Sequence, residues 1–213
     1  ARMYAKTDKA MIIYSLGMTE HSTGTATVMS LANLATVTGH LGRPNVGINP
    51  TRGQNNVQGS CDMGALPNVH VGYQKLDDKK VKAKLEKAWG VELDEKTGLT
   101  CTEMDIAMNK GKLKAYYIFG EDPAMTNANV NFVKSGLKKL DFLVVQDIVP
   151  TETSEFADVI LPGSSHAEKD GTFTNGERRI QLVRKAIEPL GGKADWEIIC
   201  MVAKALGIKN MNY

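Results

Sequence analysis

Cysteine is scarce: three residues in a chain of 213, Cys61, Cys101 and Cys200. Their number and wide spacing suit neither a disulfide framework nor a metal-binding knuckle. A reducing compartment is the simplest inference, so a cytoplasmic location is expected, with periplasmic export of an already folded enzyme as the alternative. Long apolar runs are also lacking. Nothing approaches the roughly 18 consecutive apolar residues of a membrane span, and the opening residues have no signal-peptide core. Charge of one sign is absent as well. Lys and Arg total 26 against 24 for Asp and Glu, a formal net charge of +2. The two signs are interleaved, so neither nucleic acid nor an anionic membrane is implied as a partner. No Gly-x-Gly-x-x-Gly and no Walker sequence follows an apolar run, which removes the usual phosphate cradle of a nicotinamide or nucleoside triphosphate pocket. Internal repeats and low-complexity tracts are missing too.

What remains is an ordinary globular composition, 42% hydrophobic and 23% charged. The length suffices for one sizeable α/β domain or two small lobes. Four apolar runs, 10–16, 115–119, 142–145 and 158–161, read as strands buried on both faces, the habit of parallel sheets. Helical spacing lies between and after them. Residues 25–41 carry hardly a charge and read as a helix covered on most sides, whereas 78–89 sets Val81, Leu85 and Trp89 opposite lysines. Thr100-Cys-Thr-Glu103 resembles a capping box, and 128–139 and 196–206 complete the set. The fold expected is α/β: a Rossmann-like, open, mostly parallel sheet with helices on both faces. It is read as a single domain over 1–213, with 72–112 as a small helical insertion. The opening ARMYA reads as the tail of a preceding helix, and hence the chain as a fragment.

Residues 43–73 fit no period and are rich in Gly, Asn and Pro, the character of a functional loop. Each apolar run ends in small and polar residues: Gly17-Met-Thr-Glu20, Gly120-Glu-Asp-Pro123, Gln146-Asp147 and Pro162-Gly-Ser-Ser165. In an open parallel sheet ligands bind beyond the carboxyl ends of the strands, so the four clusters are expected to converge on one rim. Glycines there admit a ligand to the backbone, and carboxylates or amides accept from the amino groups of a purine or pterin. Turn-forming is the plain alternative for any one cluster. Arg52, on a glycine-flanked loop, offers a planar fork to a carboxylate or phosphate, or is simply a solvated surface side chain. Cys61 reads better as a small buried residue than as a nucleophile. His21 and His166 sit in strand-end loops, and Asp195 is placed as a helix N-cap.

The run Asn49-Pro-Thr-Arg-Gly-Gln-Asn-Asn-Val-Gln-Gly-Ser-Cys-Asp-Met-Gly-Ala-Leu-Pro67 closely resembles the loop of molybdopterin-dependent formate dehydrogenases. So do Gly39-His-Leu-Gly-Arg-Pro44, Gly120-Glu-Asp-Pro123, Val145-Gln-Asp147, Ala157-Asp-Val-Ile-Leu-Pro162 and Glu168-Lys-Asp-Gly-Thr-Phe-Thr-Asn175. The resemblance implies an internal fragment of the large catalytic subunit, holding one of two pterin guanine dinucleotides that bind molybdenum or tungsten. It implies cofactor contacts at Leu16, Gly17 and Glu20, at Gly53 and Gln54, and at Gly120, Glu121, Asp122 and Thr126. Further contacts are implied at Gln146, Asp147, Gly163 and Asp195; some relatives have Ser where Gly163 stands. Arg52 matches an arginine that orients formate beside the metal, and no residue here matches a metal ligand. An iron–sulfur cluster in a preceding part of the subunit, the subunit's remaining domains and electron-transfer subunits are the implied associates. With no four-cysteine motif and no Cys-His or selenocysteine ligand in these residues, the chain alone is expected to be inactive. The alternatives are a domain of another molybdopterin oxidoreductase and a stand-alone nucleotide-binding module without catalysis.

Overall fold

The computed structural model describes residues 2–208, over which the apolar runs become short parallel strands in two separate units. The first unit runs up to Ala65 and adds Val71–Tyr73 and Thr172–Gln181. Its elements are α1 (Arg2–Lys6), β1 (Met11–Tyr14), α2 (Leu16–Thr19), α3 (Gly24–Val37), β2 (Gly47–Pro50) and α4 (Val57–Asp62). β1 and β2 pair in parallel, Met11 with Gly47 through Tyr14 with Pro50. Gly24 opens α3 because nothing larger fits: a Cβ there would lie 2.1 Å from the carbonyl oxygen of Thr19. Behind α3, buried His40 ties the chain together. One ring nitrogen meets the Thr38 hydroxyl and the other the Thr7 carbonyl, each at 2.8 Å, with the Tyr4 ring 4.5 Å away.

The second unit comprises Leu66–His70, Gln74–Gly171 and the chain from Leu182. β3 (Val69–His70) and β4 (Gln74–Lys75) form a small antiparallel pair. Helix α5 (Lys79–Trp89) starts where the Asp78 carboxylate accepts the backbone N–H groups of Lys80 and Val81, and it ends at Gly90, φ 70°. α6 (Cys101–Asn109) opens on a closed capping box, Thr100 with Glu103. A three-stranded parallel sheet follows from β5 (Ala115–Phe119), β6 (Phe142–Asp147) and β7 (Val159–Pro162), in that order. α7 (Pro123–Thr126) and α8 (Val130–Leu137) lie between β5 and β6. β8 (Gly171–Thr174) pairs with β9 (Ile180–Val183), most of their residues falling in the 172–181 segment of the first unit. α9 (Asp195–Ala205) is the last described helix.

The core belongs to one face of the three-stranded sheet. Ile118, Leu143 and Val145 pack there with Met108 of α6 and Val133 and Leu137 of α8. Full burial of each large aliphatic side chain contributes about 1.5–3 kcal/mol. On the other face α9 approaches β7, where Leu161 shares a cavity with Ile198, Met201 and Val202. The α/β class and the parallel sheet are therefore as the sequence implies.

Three local expectations change. Strands buried on both faces are not general: Ile13 of β1 is 65% exposed and Phe119 of β5 48%, because both strands lie at sheet edges. α3 is not covered on most sides, since Met29 is 60% exposed; a two-stranded sheet offers too little surface to cover a 14-residue helix. The stretch 43–73, read as a loop without periodicity, contains β2, α4 and the short strand β3. Ala1 and residues 209–213 fall outside the described residues.

Candidate functional site

Parallel pairing puts the carboxyl ends of β1 and β2 side by side. Thr51 fixes this by giving both its backbone N–H and its hydroxyl to the Tyr14 carbonyl, at 2.8 and 3.2 Å. Leu16, Gly17 and Glu20 leave from one strand end, in and just after α2, and Arg52, Gly53 and Gln54 leave from the other. The two groups meet at Gly53, where a Cβ would come 3.1 Å from Cδ1 of Leu16. The carbonyl of Gly17 is taken by His21 Nε2 at 2.9 Å.

Arg52 and Gln54 line a cavity of about 770 Å³, with Asn55, Asn56, Asn175 and Arg178 among its other walls. Leu16, Gly17, Gly53 and Glu20 are not among the lining residues. The volume lies within the range of small-molecule and cofactor pockets. Asn56, at φ 59°, holds one wall by bracketing β8: its amide donates to the Thr172 carbonyl at 3.2 Å and its oxygen accepts the Thr174 N–H at 3.0 Å. The Asp62 carboxylate lies behind Arg52. Hydrogen bonds from Gln58 first, then Thr174 and Tyr73, with the Arg52 charge, hold it below the usual carboxylate range. Cys61 is a buried free thiol, in line with the plain reading.

The second unit gathers the remaining positions at the carboxyl end of its sheet. Gly120 (φ 63°) gives its N–H to the Gln146 carbonyl, and Gly163 gives its own to the Asp147 carbonyl, both at 2.9 Å. These bonds align the turns Gly120-Glu121-Asp122, Gln146-Asp147 and Gly163 on one rim. Asp122 directs Oδ1 to the Thr153 N–H and hydroxyl, and the Thr126 hydroxyl donates to the Asp122 backbone carbonyl at 3.0 Å. Buried Gln146 accepts from the Tyr117 hydroxyl and donates to Asp195 Oδ1 at 2.9 Å. Asp195 is also paired with Lys169. Burial, with the Asp195 charge nearby, pushes the Tyr117 phenol up.

Asp195 is thus the first residue of α9 rather than its N-cap, which is Ala194. Glu197 instead closes that helix end by accepting the Ala194 N–H at 2.9 Å. At Gly163 a Cβ would come 2.9 Å from Asp195 Oδ1, so a side chain there requires the Asp195 carboxylate to shift. The first cluster, Gly17 to Glu20, belongs to the first unit and the other three to the second. The sequence alone assigned no role to Thr153, Tyr117 or Lys169, whose importance depends on partners 26 to 31 positions away. It also gave no site role to Asn175 and Arg178, although Asn175 closes the Glu168–Asn175 run and both lie at the Thr-Asn-Gly-Glu turn.

The donors and acceptors present fit a pterin nucleotide. Asp122 and Glu121 can accept from the N–H groups of a guanine edge. Ser164 adds a buried hydroxyl with no partner among the described residues, beside Gly163. Arg52 and Arg178 supply positive charge to the cavity of the first unit. Residues 2–205 match the family described as molybdopterin oxidoreductase, and the chain belongs to that family.

Among curated relatives, the "F420-dependent formate dehydrogenase subunit alpha" of Methanocaldococcus jannaschii is 50% identical over 208 residues. That match covers 97% of this chain and 30% of the relative. "Formate dehydrogenase H" of Escherichia coli is 46% identical over 209 residues, covering 97% of this chain and 29% of its own. The solved structure of acetylene hydratase from Pelobacter acetylenicus resembles 52% of this chain and 16% of its own, with a TM-score of 0.45 and 26% identity, too partial a likeness to argue from. The chain therefore spans under a third of the length of these formate dehydrogenase relatives. Among the described residues no helix is long and apolar enough to cross a membrane.

Proposed function

We propose that residues 1–213 form a cofactor-binding region of the large subunit of a formate dehydrogenase, with 72–112 as a helical insertion. The complete subunit carries out HCOO⁻ → CO₂ + H⁺ + 2e⁻. In this reading the chain holds one pterin guanine dinucleotide of a molybdenum or tungsten bis(molybdopterin guanine dinucleotide) centre. Such a centre would supply the two-electron redox chemistry, with an iron–sulfur cluster outside these residues and electron-transfer subunits as its route onward. In the second unit, Gly120, Glu121, Asp122 and Thr126 provide the guanosine-facing turn. Gln146, Asp147, Gly163 and Asp195 provide its neighbours. Leu16, Gly17, Glu20, Gly53 and Gln54 are the cofactor contacts of the first unit.

Arg52 has the substrate role. Formate is a small planar anion, and a guanidinium meets a carboxylate through two parallel N–H···O bonds. A fixed cation both raises the local concentration of the anion and sets the direction of its C–H bond, which is how positioning lowers a barrier. The observation that carries this reading is the place of Arg52, on the wall of a large cavity at the end of a parallel strand pair. In the full-length enzyme at equal metal content, Arg52→Ala should lower kcat/KM for formate by about 100-fold, mainly through KM, with Arg52→Lys in between. An unaltered kcat/KM in both variants removes the anion-orienting role.

A further inference from the structure

We infer that Gln58 is a positioning residue for Arg52: its side-chain amide, locked by Asp62 and Tyr73, holds the guanidinium by its inner edge and leaves the outer edge free for the anion. This deepens the formate-dehydrogenase reading and rests on it. Arg52 donates through Nε to Gln58 Oε1 at 3.4 Å. Gln58 donates through Nε2 to Asp62 Oδ1 at 2.8 Å and to the Tyr73 hydroxyl oxygen at 2.7 Å. Asp62 Oδ2 accepts the Thr174 hydroxyl at 3.1 Å. All of these residues belong to the first unit.

The direction of the Gln58 amide follows from its partners. An ionised carboxylate only accepts, and Asp62 stays ionised because hydrogen bonds, that of Gln58 foremost, hold it below the usual range. The –NH₂ end of Gln58 must therefore face Asp62, and its carbonyl oxygen faces the Nε–H of Arg52. Once Nε is engaged, the two terminal nitrogens are the ones left for a carboxylate in the cavity that Arg52 lines. Gln58 thus supplies orientation, while Asp62 adds charge balance without contacting the anion.

The backbone at Tyr73 shows the same design. Tyr73 has φ 59°, a conformation bulky residues rarely adopt, directly after Gly72 at φ 69°. Such strain persists where the surroundings fix it, and here the phenol is the second acceptor for the Gln58 amide. The Tyr73 phenol is also pushed above its ordinary value, by desolvation first, so it remains a neutral hydroxyl. Asp62, which can only accept, excludes the flipped amide, in which –NH₂ would oppose Arg52.

The test uses the full-length holoenzyme with Gln58→Ala, Arg52→Lys and the double variant. Two quantities are measured: the equilibrium Kd of nitrate, a planar monoanion, without turnover, and KM and kcat for formate. Gln58→Ala should weaken nitrate and raise KM by about tenfold, with kcat changed less than about threefold. In the Arg52→Lys background, where no Nε–H remains, the same change should cost less than about twofold. Tyr73→Phe, which keeps the ring but loses the acceptor, should give a loss of about threefold and carries the test if Gln58→Ala does not fold. If Arg52→Lys leaves nitrate and formate binding unchanged, the Arg52 reading fails and this inference with it. If Arg52→Lys weakens them but Gln58→Ala does not, or costs the same factor in both backgrounds, Gln58 does not act through Arg52 while Arg52 keeps its role.

Discussion

At Asp122, Oδ1 accepts the Thr153 N–H at 2.9 Å and the Thr153 hydroxyl at 2.6 Å, and that hydroxyl in turn accepts the Ala124 N–H at 3.0 Å. The carboxylate is oriented by the protein, with Oδ2 left for a ligand. Asp122→Asn keeps the Oδ1 acceptor but turns the other side into a donor, which opposes the N–H groups of guanine. It should weaken binding of guanosine diphosphate by about tenfold in a calorimetric titration of the chain. Equal Kd values for the two proteins would mean that guanine is held elsewhere. The placement of Asp122 just past a strand end was legible in the sequence, because it follows an apolar run closed by turn residues, and Arg52 was legible as part of a glycine-flanked loop. The partners were not. Thr153 lies 31 positions from Asp122, Tyr117 lies 29 from Gln146, and Asp195 lies 49 from Gln146. No local pattern records such distances.

Elements that carry their own boundary chemistry were legible. Thr100 and Glu103 form the predicted capping box, with the Thr100 N–H to Glu103 Oε2 at 2.8 Å. Asp78 and Gly90 mark the two ends of α5. Thr100→Ala should destabilise the second unit by about 1 kcal/mol in urea unfolding, since α6 delivers Met108 to the core. A stability equal to that of the parent would mean that the cap contributes nothing to that unit. β2 was hidden for the opposite reason. Gly-Ile-Asn-Pro has one strongly apolar residue in four, and only the partner strand β1 makes it extended. α3 misled through its composition: a helix without charges reads as enclosed, yet most of its apolar side chains are at least partly exposed in the described residues.

Among the described residues, four carboxyl groups are held low by hydrogen bonds made in the folded state. Asp62 is held by Gln58 first, Asp94 by the Lys96 N–H, Glu103 by the Thr100 N–H and Glu168 by the Ser165 N–H. A depressed folded-state value means a stabilisation that is present above the unfolded value and lost as pH falls through the folded one. The ordinary values are 3.8 for Asp and 4.5 for Glu, so the loss falls below that range. The melting temperature followed by circular dichroism should therefore drop from about pH 6 to about pH 3. A melting temperature that rises over this interval would contradict these bonds. Asp105 runs the other way, since burial raises its carboxyl, but it is a single group against four.

β5, β6 and β7 lie in the sheet in the order in which a ribosome delivers them. Each newly made strand can add beside one already present, without waiting for a partner from a distant part of the chain. Nascent assembly of this sheet can thus run in step with translation, and its middle strand has both neighbours as soon as Pro162 has been added.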